Sequence, residues 1–446
     1  MNPAARFDKY LSQVELVEPS RTLGKVNKVV GLVVESFGPE VSIGDLCYIT
    51  TKTGKQVRAE VVGFRGKEVL LMPLEETFGI DAGCFVARSD DPYCIGVGRE
   101  LLGRVLDGTG KPMDGAGPLQ TRDLQLVHNM PPNPLQRERV RQPITTGVRV
   151  IDGLLTCGLG QRIGIFAGSG VGKSVLLGMI ARNTNADVNV IGLIGERGRE
   201  VRDFLERDLG EEGLRRSVVV AVTSEHASLI RVKGALVTTA IAEYFAGLGL
   251  NVMLMMDSLT RVAMAQREVG LAIGEPPTTK GYTPSVFAFL PRLLERAGNF
   301  QRGSITGIYT VLVESDDMND PVADTVRSIL DGHVVLSRKL ASAGHYPAID
   351  VLQSISRVMI DVVPREHMKH ANKVKEILSV YQESEDLLNI GAYVAGSNPK
   401  IDHAVAMIDR IRAFQRQDIS ERTTLEDAQA DLAELANAEQ TAQYRE

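Results

Sequence analysis

One segment of eight residues, 167–174, constrains the fold more than any other part of the chain. It reads Ala-Gly-Ser-Gly-Val-Gly-Lys-Ser and lies between an apolar run typical of a strand (162–166) and one typical of a helix (175–181). A strand, a glycine-rich turn and a helix in this order predict a P-loop. The glycines let successive backbone N–H groups turn toward phosphate oxygens, and the helix N-terminus adds partial positive charge.

The P-loop predicts binding of a nucleotide, ATP or ADP, with Mg²⁺. Lys173 can reach the β- and γ-phosphates, and the Ser174 hydroxyl can ligate the metal. Ala167 replaces the first glycine of the strict pattern. A glycine-rich turn before a core helix is the weaker alternative. The residues expected to line the nucleotide site here are Gly168, Ser169, Gly170, Val171, Gly172, Lys173, Ser174 and Val175.

Composition narrows the class of protein. The 446 residues suffice for two to four domains, and the net charge is -6, with no tryptophan. Such a chain has neither an overall basic field nor an obvious stacking platform, so no specific nucleic-acid partner is expected. The four cysteines are scattered without metal-ligand spacing, which fits a reducing cytoplasm. No apolar run approaches the length of a membrane span.

The pattern of apolar residues divides the chain into four parts. Residues 1–22 contain Phe7, Tyr10, Leu11 and Val14 at helical spacing, which predicts a short amphipathic helix. This helix either binds a partner or membrane surface or docks on its own first domain. Residues 23–95 hold short β-branched runs, including 28–35, 46–49, 57–64 and 68–72, and predict about six strands in a small β-barrel.

The two remaining parts differ in their periodicity. Within 96–363, strand-like and helix-like runs alternate, which predicts an α/β domain with a mainly parallel sheet. Strand runs stop after Pro364, and 370–381 and 401–413 are amphipathic, so 364–446 is expected to be a helical domain. The segment after Ser420 is compatible with a helix or a frayed end.

Two carboxylates follow predicted strands, where the ligand crevice of a parallel sheet lies. Asp257 ends the run 252–256 and is the expected partner of the nucleotide-bound Mg²⁺, with helix capping as the alternative. Glu196 follows the run ending at Gly195 and can orient or deprotonate an attacking water. Arg197, beside it, can sense the γ-phosphate. On spacing alone, a surface ion pair is about as plausible.

Longer motifs carry a family resemblance. Pro347 to Ser356 matches the signature P-x-x-D-x-x-x-S-x-S of the rotary ATPases, and Gly195-Glu196-Arg197 matches their catalytic glutamate motif. The chain therefore resembles the catalytic subunits of F-type and V-type ATPases. Segments 274–287 and 312–321 are most similar to type III protein export ATPases. Segments 304–310, 356–359 and 181–191 look more like the flagellar branch than the injectisome branch.

The resemblance implies further site residues. Arg357 resembles the arginine finger that completes a neighbouring subunit's site, with an ordinary interface salt bridge as the alternative. Tyr346 resembles the aromatic residue that stacks on adenine, and Tyr393 is a looser match for the other side of that pocket. The family also implies a homohexamer with a central pore, in which the catalytic residues include Lys173, Glu196, Arg197, Asp257 and Arg357.

The function implied by the resemblance is ATP hydrolysis that energises export of flagellar proteins, from the cytoplasmic side of the inner membrane. Implied partners are a regulator at the N-terminal helix, a coiled-coil stalk protein in the pore, the export gate and chaperone–substrate complexes. An injectisome ATPase is the main alternative. Glu196 disfavours a non-catalytic ring subunit, and the aromatic-poor segment 23–95 disfavours an RNA translocase.

Overall fold

The computed structural model describes residues 22–313 and 320–438, so residues 1–21 of the predicted N-terminal helix lie outside the described residues. The chain divides into two units. The first runs to Tyr93 and includes Leu271–Glu275, and the second comprises Cys94–Gly270 and the chain from Pro276 onward.

The strands are β1 (Gly24–Val30), β2 (Val33–Phe37), β3 (Leu46–Thr50), β4 (Gln56–Arg65), β5 (Glu68–Pro73), β6 (Phe85–Arg88), β7 (Cys94–Val97), β8 (Val105–Leu106), β9 (Asp123–Leu126), β10 (Pro143–Ile144), β11 (Cys157–Gly158), β12 (Arg162–Ala167), β13 (Val188–Glu196), β14 (Ser217–Thr223), β15 (Asn251–Asp257), β16 (Gly298–Asn299), β17 (Ser304–Leu312), β18 (Gly332–Leu336) and β19 (Ile349–Ser356).

The helices are α1 (Arg149–Leu154), α2 (Lys173–Asn183), α3 (Gly198–Asp203), α4 (Gly210–Arg215), α5 (Ser228–Gly247), α6 (Leu259–Ile273), α7 (Pro284–Leu294), α8 (Pro321–Ile329), α9 (Arg338–Ser342), α10 (Met359–Val362), α11 (Arg365–Asn389), α12 (Pro399–Gln415) and α13 (Leu425–Asn437). A π-helical turn, Phe204–Leu209, joins α3 to α4.

The first unit is a closed antiparallel barrel with strand order β1-β2-β5-β4-β3-β6, which confirms the predicted β-barrel. Its interior is filled by small β-branched and aliphatic side chains, and the buried thiols of Cys47 and Cys84 pack among them. The run 28–35, predicted as one strand, is instead a hairpin in which Val30 pairs with Val33. Gly31 makes this turn with φ +57°, a value that glycine adopts easily. The valines on either side of this turn hide it in the sequence.

The second unit is built on a sheet with strand order β19-β18-β12-β17-β15-β13-β14-β8. Along this path every described pair is parallel except β18 with β19, which confirms the predicted mainly parallel sheet. All nine residues of β13 are buried, as expected for a strand covered on both faces. We call the side where β12, β13, β15 and β17 end the carboxyl edge, and the opposite side the amino edge.

The C-terminal helices share their core with the sheet. Ile411 and Phe414 of α12 and Leu432 of α13 belong to the same buried cluster as Ile165 of β12 and Ile191 of β13. The segment after Ser420, left open by the sequence, forms α13 with a capping box between Thr424 and Asp427. Among the described residues no helix is both long and apolar enough to cross a membrane.

Candidate functional site

The P-loop joins β12 to α2 at the carboxyl edge. Gly170 and Gly172 take φ +78° and φ +91°, values that other residues rarely adopt, and Gly172 immediately precedes the first residue of α2. Ser169 and Gly170 are exposed at the tip, while Ser174 and Val175 are half-buried in the first helical turn. The loop thus presents a helix N-terminus at an accessible edge of the sheet.

Lys173 lies between the two predicted carboxylates. Its Nζ donates to Asp257 Oδ1 and, at 3.3 Å, to Glu196 Oε1. The side chains are 12% (Lys173), 11% (Glu196) and 3% (Asp257) exposed. They meet because β12, β17, β15 and β13 are successive parallel neighbours, so the strand ends lie side by side.

The carboxylates outnumber the amine at this edge, which sets their protonation. Burial raises the pKa of Glu196 to about 7, helped by Asp257 and by a hydrogen bond with Glu200, and opposed by Lys173. The same hydrogen bond lowers the pKa of Glu200. Burial alone would lower the pKa of Lys173, but the two carboxylates raise it. Glu196 can therefore gain or lose a proton near neutral pH, and Lys173 stays charged.

Arg197 immediately precedes α3 and points away from this buried cluster. Its side chain is 78% exposed and lies 3.8 Å from a Glu200 carboxylate oxygen. An exposed guanidinium at the mouth of the site is free to contact a bound ligand or a neighbouring chain.

Tyr346 packs on the P-loop. A Cβ added at Gly172 would lie 3.4 Å from its ring, so the glycine allows the ring to approach the loop backbone. The Tyr346 side chain is 46% exposed, and its carbonyl accepts a hydrogen bond from the Gln417 N–H at 3.1 Å. Its ring is therefore held beside the P-loop with one face accessible.

Tyr393 lies in the connection between α11 and α12. Its hydroxyl donates to Asp402 Oδ1 at 2.9 Å and lies 3.0 Å from the Asn398 carbonyl oxygen. These contacts stabilise the turn into α12. The assignment of Tyr393 to the base pocket stays a prediction.

Arg357 lies at the opposite end of the sheet from the P-loop. Tyr346 precedes β19 and Arg357 follows it. Ile349 pairs with Leu336 and Ser356 with Gly332, so β19, with a bulge between these pairs, crosses the four residue steps of β18, about 13 Å at roughly 3.3 Å per residue. Because β19 runs antiparallel to β18, Arg357 is at the amino edge, where its backbone N–H donates to the Asp331 carbonyl at 2.9 Å. Its exposed side chain therefore lies far from Lys173 of the same chain.

Two residues of the cluster were not predicted from sequence. Thr310, buried in β17, donates its hydroxyl to Asp257 Oδ1 at 2.7 Å. Glu200 shares a hydrogen bond with Glu196. A hydroxyl in an apolar strand is the one signal for Thr310, but the sequence does not reveal that β17 is the neighbour of β15.

The donor set fits Mg²⁺ held together with a nucleotide. No group of three or more His, Cys, Asp or Glu side chains in the described ranges is placed to hold a metal by itself. Mg²⁺ keeps several waters and takes phosphate oxygens with one or two protein ligands. Ser174 beside the P-loop lysine and the carboxylate of Asp257 supply that type of donor, and the excess of carboxylates favours a cation.

Three family models match most of the described residues. Residues 26–90 match the β-barrel domain of the ATP synthase alpha/beta family, and 147–356 match its nucleotide-binding domain. Residues 363–434 match the C-terminal domain of the type III secretion ATPase EscN.

Individual relatives agree with these matches. The "Flagellum-specific ATP synthase" of Bacillus subtilis is 55% identical over 431 residues, 96% of this chain and 98% of the relative. The "Type 3 secretion system ATPase" of Xanthomonas euvesicatoria is 52% identical over 398 residues, 89% of this chain and 90% of the relative.

A solved structure extends the likeness to three dimensions. Assembled EscN of enteropathogenic E. coli, in complex with its central stalk EscO, is 45% identical with a TM-score of 0.86, covering 93% of this chain and 100% of that one. Identity at this level over nearly the full length shows membership of the same family as well as the same fold. The chain belongs to the ATP synthase alpha/beta family and, within it, to the flagellum-specific and type III secretion ATPases.

Proposed function

We propose that the chain is an ATPase that hydrolyses Mg-ATP at the carboxyl edge of the sheet and thereby energises export of flagellar proteins. One observation carries the site: Lys173, at the start of the P-loop helix, is held between Glu196 and Asp257. The buried amine supplies the charge that binds phosphate, and the buried carboxylates supply a base and a partner for the metal.

The residues divide the work of phosphoryl transfer to water. The P-loop amides and Lys173 bind the phosphate oxygens and oppose the charge that develops on them. Glu196, once deprotonated, orients the attacking water and accepts its proton. Ser174, with Asp257 acting through water, would hold Mg²⁺, which would supply positive charge beside the phosphates. Arg197, exposed beside Glu196, contacts the γ-phosphate region.

The base of the nucleotide stacks on Tyr346. Support comes from its ring, which lies against Gly172 with one face accessible. Tyr393 closes the pocket from the other side in this proposal, although its hydroxyl contacts bind the turn before α12.

Arg357 acts in a neighbouring subunit. The length of β19 separates it from the P-loop of its own chain, so an arginine finger at this position serves a site only across an interface. Head-to-tail contacts that repeat this arrangement close into a ring, here a homohexamer. EscN, described as assembled and in complex with a central stalk, supports both the ring and a coiled-coil stalk partner for this chain.

The cellular role follows from the flagellar relatives. We assign residues 1–22 to a helix that binds the regulator. Residues 23–95 form the barrel, 96–363 the ATPase domain and 364–446 the helical domain. The export gate and chaperone–substrate complexes are the further partners. The ring acts in the cytoplasm with peripheral contact to the inner membrane. An injectisome role is the alternative, because a type III secretion ATPase is 52% identical to this chain.

Hydrolysis rate per subunit, measured as protein concentration rises, tests the shared site. We expect the rate per subunit to rise steeply over the concentrations at which the chains assemble. Size measurements on the same samples report that assembly. Mixtures of Arg357→Ala and Lys173→Ala chains should then regain activity at interfaces that pair one intact finger with one intact P-loop. Mixed rings that form without any recovery would contradict the trans role of Arg357.

The cargo is tested in cells. The gene is expressed in a motile bacterium whose own flagellar export ATPase gene is deleted, alongside the Lys173→Ala variant. Restored swimming with the wild-type chain alone supports the flagellar role. Restored effector secretion in an injectisome ATPase deletion, without restored swimming, supports the alternative.

A further inference from the structure

A buried hydroxyl on the strand next to β15 contacts the Asp257 carboxylate from the same side as the P-loop strand β12. Thr310 is fully buried near the end of β17, which lies between β12 and β15. Its Oγ1 is 2.7 Å from Asp257 Oδ1 and 3.3 Å from the Met256 carbonyl oxygen. The shorter contact is the stronger bond, because the carboxylate is the better acceptor.

Both donors to Asp257 use the same oxygen atom. Lys173 Nζ and Thr310 Oγ1 each donate to Oδ1. Within residues 22–313 and 320–438, no side-chain donor is bonded to Oδ2. The carboxylate is therefore oriented, with Oδ1 fixed by protein donors and Oδ2 left for an outside donor.

The two donors differ in whether they still bond Asp257 once a nucleotide has bound. Lys173 lies on the P-loop and is the group that reaches toward phosphate once a nucleotide is present. Thr310 lies inside a buried strand between two parallel neighbours and cannot follow. When Lys173 turns to phosphate, Thr310 is the donor that still holds Oδ1.

We propose that Thr310 is a positioning residue: it holds the Asp257 carboxylate in one rotamer, so that Oδ2 faces the water shell of the Mg-nucleotide. This inference rests on the role proposed above for Asp257. Residues that orient a metal's ligands typically change metal affinity by about 10- to 100-fold when they are mutated. Asp257 itself acts through water, so the lower end, about tenfold, is expected for Thr310.

The test is the affinity for ADP, measured by calorimetry on the wild-type chain and its variants, once with Mg²⁺ and once with EDTA. The ratio of the two dissociation constants reports how much Mg²⁺ strengthens binding. Thr310→Val, which has the same shape without the hydroxyl, should reduce this ratio about tenfold and leave the EDTA affinity unchanged. Thr310→Ser should restore the ratio.

Thr306→Val is the matched control. Thr306 is buried four residues earlier in β17, and its hydroxyl accepts a hydrogen bond from the Gly160 N–H at 2.8 Å, at the amino edge. Thr306→Val loses a buried hydrogen bond between neutral groups on the same strand, so it should lower the melting temperature without changing the Mg²⁺ ratio. If Thr310→Val does not fold, Thr310→Ala removes the hydroxyl without adding a methyl group.

Asp257→Asn separates the two levels of the proposal. An unchanged Mg²⁺ ratio in Asp257→Asn would remove the proposed role of Asp257 and this inference with it. A reduced ratio in Asp257→Asn, with a wild-type ratio in Thr310→Val, would overturn only the role of Thr310. A reduced ratio in Thr306→Val equal to that of Thr310→Val would mean a general loss of packing and would overturn it as well.

Discussion

The two edges of the central sheet both carry clusters of charged side chains, but the clusters are balanced differently. At the carboxyl edge, Lys173 faces Glu196 and Asp257, with Glu200 bonded to Glu196. At the amino edge, Arg162 bonds Asp331 at 3.1 Å and Glu295 at 2.5 Å, and Arg137 bonds Glu295 at 3.1 Å. With the exposed Arg197 beside Glu200 included, the first cluster has two cations for three carboxylates; the second has two for two.

The difference separates a binding site from a structural network. The amino-edge guanidiniums also reach backbone groups: Arg137 donates to the Ala297 carbonyl at 2.8 Å. Burial lowers the pKa of Arg162, but Asp331 and Glu295 more than offset this and hold the pKa above its usual range. The charges of the amino-edge cluster are thus compensated within the chain. The carboxyl edge leaves excess negative charge and an elevated Glu196 pKa, which a nucleotide with its cation can use.

Lys173→Ala should give the largest effect. The substitution removes the charged amine that donates hydrogen bonds to the phosphates, so the rate of ATP hydrolysis should fall at least about 10²- to 10³-fold. The fold should persist, because Glu196 can take up a proton when the neighbouring charge is lost. Steady-state hydrolysis and thermal unfolding measure the two effects. Lys400→Ala, in the exposed pair with Glu376, is the control and should change neither.

Arg162→Met should show the reverse pattern at the amino edge. It removes the guanidinium partner of Asp331 and leaves Glu295 with Arg137 alone. Breaking a fully buried pair costs about 3–5 kcal/mol of unfolding free energy. Since Glu295 and Asp331 are partly exposed, about 2–3 kcal/mol is expected here. Urea unfolding measures it, with the exposed pair variant Arg202→Met as control. If Arg162→Met folds normally but hydrolyses much less ATP per molecule, the amino-edge cluster is not purely structural, and the contrast between the two edges is wrong.

Tyr346→Ala should raise the KM for ATP about tenfold, since one aromatic–base stack is worth roughly 1–3 kcal/mol. The value of kcat should change less, because the ring does not touch the reacting phosphate. Tyr346→Phe keeps the ring and should behave like wild type. Equal KM values in all three proteins would remove Tyr346 from the base pocket.

Glu200→Gln should give the smallest effect, a shift in pH dependence. Glu196 must be ionised to accept a proton from water, so kcat/KM should rise with pH through its pKa of about 7. Glu200 raises that pKa, so its removal should move the rise to lower pH. The kcat/KM profile of the variant, beside that of Glu206→Gln, measures the shift. A shift to higher pH would contradict the pairing of Glu196 with Glu200.

Much of the fold was predictable because it rests on local patterns. The β-barrel strands, the alternating elements of the α/β domain and the helices after Pro364 each carry their own periodicity. The hairpin at Gly31 was missed because valines flank the two-residue turn on both sides and give the segment 28–35 the appearance of one apolar run. The helix at 425–437 was left open because Asp427, in place of the usual Glu or Gln, occupies the last position of the capping box and weakens it as a sequence signal.

The sequence by itself determined the P-loop, the family and the identity of Lys173, Glu196 and Asp257 as candidates, because spacing within one strand–turn–helix unit is local. The tertiary structure alone decided which strands are neighbours. That order brings Thr310 of β17 onto Asp257 of β15. It also makes β19 antiparallel, so that Tyr346 lies beside the P-loop and Arg357 at the far edge. Strand order depends on how buried faces pack across long sequence separations, and no local pattern encodes it.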